Sequence, residues 1–253
     1  MKGGIILEAL REVFFPQGCC LCKKSLDTGI DAFYGLCTGC REVFAVPAAE
    51  RGRCSSCGKP LISEIGNCLP CRNGQERSFD RLICMYPYDG KYKTLLAAYK
   101  FEKRLCLGNF FAEIFYKGLS ILDEQLQEDG SSGSIKKEKY CWVPVPPRAG
   151  KIKETGWDQI SYLAKLMEKT EPMGLKIPIW RCLTRMPSPS QKELNRQDRL
   201  HNLKGRIIVK NTVPKNIILF DDVYTTGATM DACAAVLKAQ GAEIVYGICL
   251  FYD

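Results

Sequence analysis

Hydrophobic positions change period several times along the chain, and the changes mark its elements. Ile6, Leu10, Val13 and Phe14 share one face of a short helix over residues 5–14, which Pro16 ends. From Cys19 to about Cys71 the long apolar runs stop and turn residues dominate, a stretch too poor in core to hold itself together without a staple. Beyond Phe79, apolar runs predict strands at Arg81–Tyr88, Tyr140–Val145, Ile177–Leu183, Arg206–Val209, Asn216–Phe220 and Glu243–Phe251. Helical spacing predicts helices over 91–101 (Leu95, Leu96, Tyr99), 107–122 (Phe111, Ile114, Phe115, Leu119), 158–169 and 227–240. Residues 127–139, rich in Ser, Gly and charge, read as a flexible insertion, and the polar stretch 184–204 as a long loop. Alternating β and α elements imply an α/β fold, a mostly parallel sheet with helices on both faces. The expected organisation is a Cys-rich module over 1–76 and an α/β domain over 77–253.

Charge narrows the ligand. The 253 residues hold 36 Lys and Arg against 28 Asp and Glu, a net charge of +8 that favours an anionic partner, either a phosphorylated small molecule or nucleic acid. The apolar run Gly3 to Leu10 is short and interrupted by Glu8, unlike a cleavable signal, and no stretch approaches the ~18 apolar residues of a span. No membrane partner is expected, and the location expected is cytoplasmic.

Eight of the 15 cysteines form four Cys-x-x-Cys pairs: Cys19/Cys22, Cys37/Cys40, Cys54/Cys57 and Cys68/Cys71. Each pair presents two sulfurs to one ion, and two pairs complete a tetrahedral site suited to structural Zn²⁺. Two four-cysteine zinc sites are expected, first pair with second and third with fourth, with a cross-braced order left open. A redox role for four pairs in a core-poor segment is the weaker reading. Cys20, Cys84, Cys106, Cys141, Cys182, Cys233 and Cys249 mostly sit in apolar contexts and read as core.

The strongest chemical signal runs from Ile217 to Thr229. Four apolar residues form a buried strand, Asp221 and Asp222 stand at its carboxyl end, and Val223, Tyr224, Thr225, Thr226, Gly227, Ala228 and Thr229 lead into a helix that stops at Gly241. Ligands of open α/β sheets sit at the carboxyl ends of the strands. The start of a helix offers unpaired N–H groups and the positive end of its dipole, which suits a phosphate. Gly227 allows close backbone approach, and the threonines add hydroxyl donors without charge. Two acids would repel phosphate but accept hydrogen bonds from a sugar diol. The strip therefore reads phosphate at one end and ribose hydroxyls at the other.

This stretch resembles the phosphoribosyl-diphosphate (PRPP) motif of type I phosphoribosyltransferases. More widely the chain resembles the ComF family of competence-associated proteins. Five stretches carry the wider likeness: Phe14-Phe15-Pro16 before Cys19; Cys54-x-x-Cys57-Gly58-Lys59-Pro60; Tyr99-Lys100-Phe101; Val143-Pro144-Val145-Pro146; and Gln191-x-x-Leu194 followed by Arg199 and Asn202. The resemblance implies a type I phosphoribosyltransferase-like fold behind a zinc ribbon. It implies that Asp221 and Asp222 contact the ribose hydroxyls, that Thr225 to Thr229 hold the 5′-phosphate, and that Mg²⁺ is chelated by PRPP. It places a pyrophosphate loop at Pro144, Val145, Pro146, Pro147 and Arg148, with Arg148, Lys151 and Lys153 as charge partners. It also places a closing flexible loop at 184–204, with Arg185, Gln191 and Arg199.

Where the family shows Arg-Gly-Phe-Asn-Gln, this chain has Thr155-Gly156-Trp157-Asp158-Gln159, so a cation is absent near the diphosphate and an acid has appeared. Transfer from PRPP needs no side-chain nucleophile, and Asp221, Asp222, Arg148 and Lys151 are the candidates for a catalytic contribution. The chain's single histidine, His201, reads as a surface loop residue. The start Met1-Lys2 offers no N-terminal cysteine, so glutamine-dependent amination is not expected. Two functions follow from the resemblance. One is a Mg²⁺-dependent phosphoribosyltransferase of unknown acceptor, linked to DNA uptake. The other is a non-catalytic adaptor that binds PRPP or single-stranded DNA beside a DNA-uptake helicase.

Overall fold

A computed structural model of the chain describes residues 18–26, 28–44, 52–54, 56–58, 61, 64–73, 77–128, 130, 135, 140–169, 177–187 and 205–253. The helix expected over 5–14, together with Gln191, Arg199 and His201, lies outside the described residues. In chain order the elements are α1 (Gly29–Tyr34), α2 (Thr38–Glu42), α3 (Leu69–Arg72), β1 (Arg81–Pro87), α4 (Gly90–Lys100), α5 (Leu107–Glu128), β2 (Tyr140–Pro144), α6 (Lys151–Thr155), α7 (Gln159–Met167), β3 (Leu183–Arg185), β4 (Ile207–Val209), β5 (Asn216–Tyr224), α8 (Ala228–Ala239) and β6 (Ile244–Tyr252).

Strands β1, β6, β5 and β2 form one four-stranded sheet in that order, and every pairing is parallel. Burial on both faces explains the continuous apolar runs of β5 and β6 in place of an alternating pattern. On one face Phe111 and Phe115 of α5 pack with Phe220, Ile248 and Phe251 of the sheet. Each such side chain contributes about 1.5–3 kcal/mol by leaving water. On the other face Ala234 and Leu237 of α8 pack with Leu219, Val245 and Cys249. Gly118 lets α5 lie close against the sheet, for a Cβ there would meet Ile248 at 2.9 Å and Met85 at 3.0 Å.

The Cys-rich segment is built into both faces. Cys19, Cys20, Leu36 and Phe44 join the cluster under α5, where the Phe44 ring lies 5.2 Å from each of Tyr86, Tyr92 and Phe110. Cys54, Cys57 and Cys68 join the cluster under α8.

Three expectations need correction. The strand expected at Ile177–Leu183 is broken up: Ile179 makes a single bridge with Trp142, and only Leu183 belongs to a strand, as the first residue of β3. Pro178 has no N–H to donate, and the chain then turns into β3, which pairs antiparallel with β4 in a separate ribbon. Thr184 and Arg185, expected at the start of a loop, therefore belong to a strand. The insertion expected at 127–139 begins inside α5, which continues through Glu128, and Ile135 is buried with its N–H donating to the Asp123 carboxylate at 2.7 Å. An apolar side chain and one anchored amide fix part of a stretch whose composition reads as linker. Short α6 was not expected at all.

Candidate functional site

The site is built where β5 leaves the sheet. Ile217 to Phe220 are fully buried, and parallel pairing with β6 continues past them, with Asp221 opposite Cys249 and Tyr224 opposite Tyr252. The two acids thus belong to the last turn-ward part of the strand and do not stand beyond it. Thr225 and Thr226 make the turn, and Gly227, at φ 78°, caps α8. A Cβ on Gly227 would meet the Tyr224 hydroxyl at 2.3 Å, so the position needs glycine twice over, for its dihedral and for its space. The Thr226 hydroxyl accepts from the Ala228 N–H at 3.4 Å, and the Asp231 N–H donates to Gly227 O at 2.8 Å. A shallow cavity of about 30 Å³ lies inside the turn, lined by Asp221, Val223 to Met230 and Cys249. Among the described residues the buried Tyr224 hydroxyl has no hydrogen-bond partner.

The two acids differ in surroundings. Asp221 is part-buried and accepts from the Asp222 N–H at 2.8 Å. Burial first, and then the neighbouring Asp222 charge, push its carboxyl up to about 8. Asp222 is buried, and its Oδ2 is held by Lys100 Nζ at 2.8 Å and by Gln159 Nε2 at 2.5 Å. Lys100 ends α4 and Gln159 begins α7.

The proline turn sits beside the acids because β2 is the next strand. Pro144 pairs with Phe220, and the Val145 N–H donates to Phe220 O at 3.1 Å. Between this turn and the start of α8 opens a cleft of about 300 Å³. Its lining includes Pro146, Pro147, Arg148 and Lys151 from the turn and α6, Asp158 and Gln159 at the start of α7, Arg185 of β3, Asp221 of β5 and Thr229 of α8. A groove of about 900 Å³ adjoins it between the 146–154 stretch and β3. Arg148 is exposed and paired with Glu154. Lys151 Nζ donates to Asp158 at 2.8 Å and also to Gln159 Oε1.

Asp158 therefore has a different role from the one its sequence position suggests. It is buried, its Oδ1 caps α7 by accepting from the Ser161 N–H at 2.8 Å, and Lys151 neutralises it. The lysine that meets it comes from α6, four residues before Thr155. Sequence reasoning did not give Lys100 or Gln159 a role. Both stood in stretches that carried the family likeness, which was the available signal.

The four cysteine pairs gather as first with second and third with fourth. All sulfurs of Cys19, Cys22, Cys37 and Cys40 lie within 4.8 Å of one another, as do those of Cys54, Cys57, Cys68 and Cys71. Cys22 and Cys37 sulfurs are 3.6 Å apart, as are those of Cys57 and Cys68. Tetrahedral zinc at ~2.3 Å from each sulfur needs separations of about 3.8 Å, so both donor sets fit the ion. Cys37 and Cys68 each stand at the start of a short helix, α2 and α3. Burial acts to raise the Cys19 thiol, but backbone N–H groups of Cys22, Cys37 and Leu21 outweigh it and bring the thiol down to about 6. Cys54, in the second set, is brought against the same burial to about 7 by the N–H groups of Cys68, Cys57 and Ser56. Among the described residues no helix is long and apolar enough to cross a membrane.

No family model matches the chain. It is 26% identical over 240 residues to Competence protein F of Haemophilus influenzae, covering 91% of this chain and 94% of that protein. It is 27% identical over 213 residues to Competence protein ComFC of Streptococcus pneumoniae, covering 83% and 84%. It is 24% identical over 241 residues to DNA utilization protein YhgH of Escherichia coli strain K12, covering 93% and 96%. These relatives support the ComF-family resemblance along most of the chain.

Proposed function

We propose that this ComF-type chain binds PRPP in the cleft between the proline turn and the start of α8, and transfers its phosphoribosyl group to an acceptor with release of pyrophosphate. One observation carries the reading. Asp221 and Thr229 line a single cleft of about 300 Å³ with Pro146, Pro147, Arg148 and Lys151, so anion-binding and diol-binding groups converge at one place. The 5′-phosphate rests on the first N–H groups of α8 and the hydroxyls of Thr225, Thr226 and Thr229. The sugar hydroxyls lie at the Asp221 end. The diphosphate lies along the proline turn, with Lys151 and Arg148 as cations. Mg²⁺ bound with PRPP supplies neutralising charge to the diphosphate.

In the reaction the acceptor forms a bond to C1 of the ribose while the bond from C1 to the diphosphate oxygen breaks, and the leaving electron pair stays on pyrophosphate. The chain's part is to hold the two ends of PRPP apart, balance the leaving charge and exclude water. The relatives are named for competence and DNA utilization, which supports a setting in DNA uptake.

Calorimetric titration with PRPP and Mg²⁺ tests the site. Binding should be measurable in the wild type and abolished in Asp221→Asn with Asp222→Asn, with the fold and metal content kept. A double variant that binds normally would mean the site is misassigned. A second reading, a non-catalytic adaptor that binds PRPP or single-stranded DNA, is favoured by one observation: Arg148 and Lys151 are each already paired with an acid. Pyrophosphate release across a panel of bases and amines separates the two. Binding without release supports the adaptor, and steeply salt-dependent binding of single-stranded DNA supports its nucleic-acid form.

A further inference from the structure

Asp222 does not line the cleft that Asp221 and Thr229 share. Its carboxylate turns to two helix ends instead, Lys100 at the close of α4 and Gln159 at the opening of α7. Gln159 is itself fixed twice. Its side-chain oxygen accepts from Lys151, and its backbone oxygen accepts from the Tyr99 hydroxyl at 3.0 Å, one residue before Lys100. Lys151 is held in turn by Asp158. A continuous polar chain, Lys100–Asp222–Gln159–Lys151–Asp158, therefore runs from behind the sugar end of the cleft to its diphosphate wall.

Two adjacent carboxyls in a buried setting cannot both ionise unless a cation or donors stand by one of them. The donors here all stand by Asp222: one ammonium and one amide, both aimed at the same oxygen. Among the described residues Asp221 accepts only from the Asp222 N–H. A buried ion pair is in itself weak evidence of stabilisation, so a cation placed on one acid of a ligand site calls for another reason.

We infer that Lys100 is a positioning residue of the PRPP site: with Gln159 it holds the Asp222 carboxylate off the lining of the cleft, which leaves Asp221 as the acid that meets the sugar diol. This rests on the PRPP reading above. It divides the two acids into one that contacts and one that orients. The charged and titratable groups facing the two acids are Lys100 and Tyr99 from α4, Asp158 and Lys151 beside α7, Arg185 from β3, Cys233 from α8 and Cys249 from β6.

The test uses the full chain with its metal, as wild type, Lys100→Met, Lys100→Gln and Lys100→Arg. Two quantities are read: the carboxyl titration of Asp221 and Asp222 by carbon-13 NMR without ligand, and PRPP affinity with Mg²⁺ by calorimetry. Circular dichroism and zinc content check the fold. Loss of one charge-assisted bond should weaken PRPP binding roughly 10- to 100-fold. It should also move the Asp221 titration upward, because the Lys100 charge acts to lower it, and Lys100→Arg should recover most of both. The inference is overturned if either neutral variant folds and leaves the acid titration where it was, or moves it without weakening PRPP. If the wild type binds no PRPP, the reading of the cleft as a PRPP site fails by itself. The ligand-free titration still decides whether Lys100 governs the pair.

Discussion

Asp221 accepts a hydrogen bond at 2.8 Å from the backbone N–H of Asp222, the residue whose own carboxylate repels it. The N–H favours the ionised form, and burial and the Asp222 charge favour the protonated one. The latter prevail, since the Asp221 carboxyl is pushed from 3.8 up to about 8. At neutral pH the chain therefore carries a proton on Asp221, the acid proposed to meet the sugar.

Stability should depend on that proton. From roughly pH 4 to pH 8 the native chain holds a proton that the unfolded chain has released. The contribution is full below the unfolded value and is lost as pH rises through about 8. Denaturant unfolding at about pH 5 and about pH 8.5 should show the wild type losing stability that Asp221→Asn keeps, by on the order of a few kcal/mol. Equal slopes in the two proteins would refute the assignment.

Gly227→Ala should selectively damage the turn before α8, where the 5′-phosphate is proposed to rest. The residue has φ 78°, and its new methyl would run into the Tyr224 ring and hydroxyl, with contacts of 2.3–2.6 Å. Tyr224 is buried at the end of β5 and cannot swing aside cheaply. Strain of about 1–3 kcal/mol is expected. PRPP affinity should fall by at least tenfold while the far-UV spectrum stays native. Unchanged affinity would place the phosphate elsewhere.

The legible parts of the fold are those whose information is local. The Ile217 to Thr229 stretch announces its strand, turn and helix through apolar run, acids, threonines and one glycine. The cysteine pairs announce their own clusters by spacing. Other features depend on partners far along the chain. Lys100 looks like the last residue of an amphipathic helix until β5 brings Asp222 within 2.8 Å of it. Asp158 looks like an intruder near the diphosphate, and only the fold brings Lys151 to it and sets it at the start of α7. The apolar run at Ile177–Leu183 has the composition of a strand, but Pro178 and the turn into β3 leave it a single bridge and the first residue of β3. Ile135 sits in a stretch of linker composition, yet is buried.

Asp158 offers a way to separate its two roles. Asp158→Ala removes the acceptor for the Ser161 N–H and should cost about 1 kcal/mol through the lost cap. Asp158→Asn keeps an acceptor there and removes only the charge that holds Lys151. The alanine variant should show the lower denaturation midpoint. The asparagine variant should stay close to wild type in stability while its PRPP affinity changes, because the freed lysine is available to the diphosphate. If both variants lose equal stability, the ion pair and not the cap is what matters.

The second four-cysteine cluster should be inseparable from the sheet. Cys54, Cys57 and Cys68 share one apolar cluster with Leu82, Val245 and Cys249. Gly58, directly after Cys57, lies so close over β1 that a Cβ there would meet Leu82 O at 2.1 Å. Ser78 and Asp80, just beyond the cluster, tie to α8 through the Asp231 carboxylate at 2.6 Å and Lys238 at 2.6 Å. Since the 5′-phosphate is proposed to rest at the start of α8, loss of the metal should loosen the helix on which that proposal depends. Cys68→Ser should lower bound zinc from two ions per chain to one and depress the melting temperature of a single cooperative transition. PRPP binding should weaken with it, although none of Cys54, Cys57, Cys68 and Cys71 lines the cleft. Two separate melting transitions, or full PRPP affinity in a chain stripped of that ion, would show instead that the cluster folds on its own and that the helix does not depend on it.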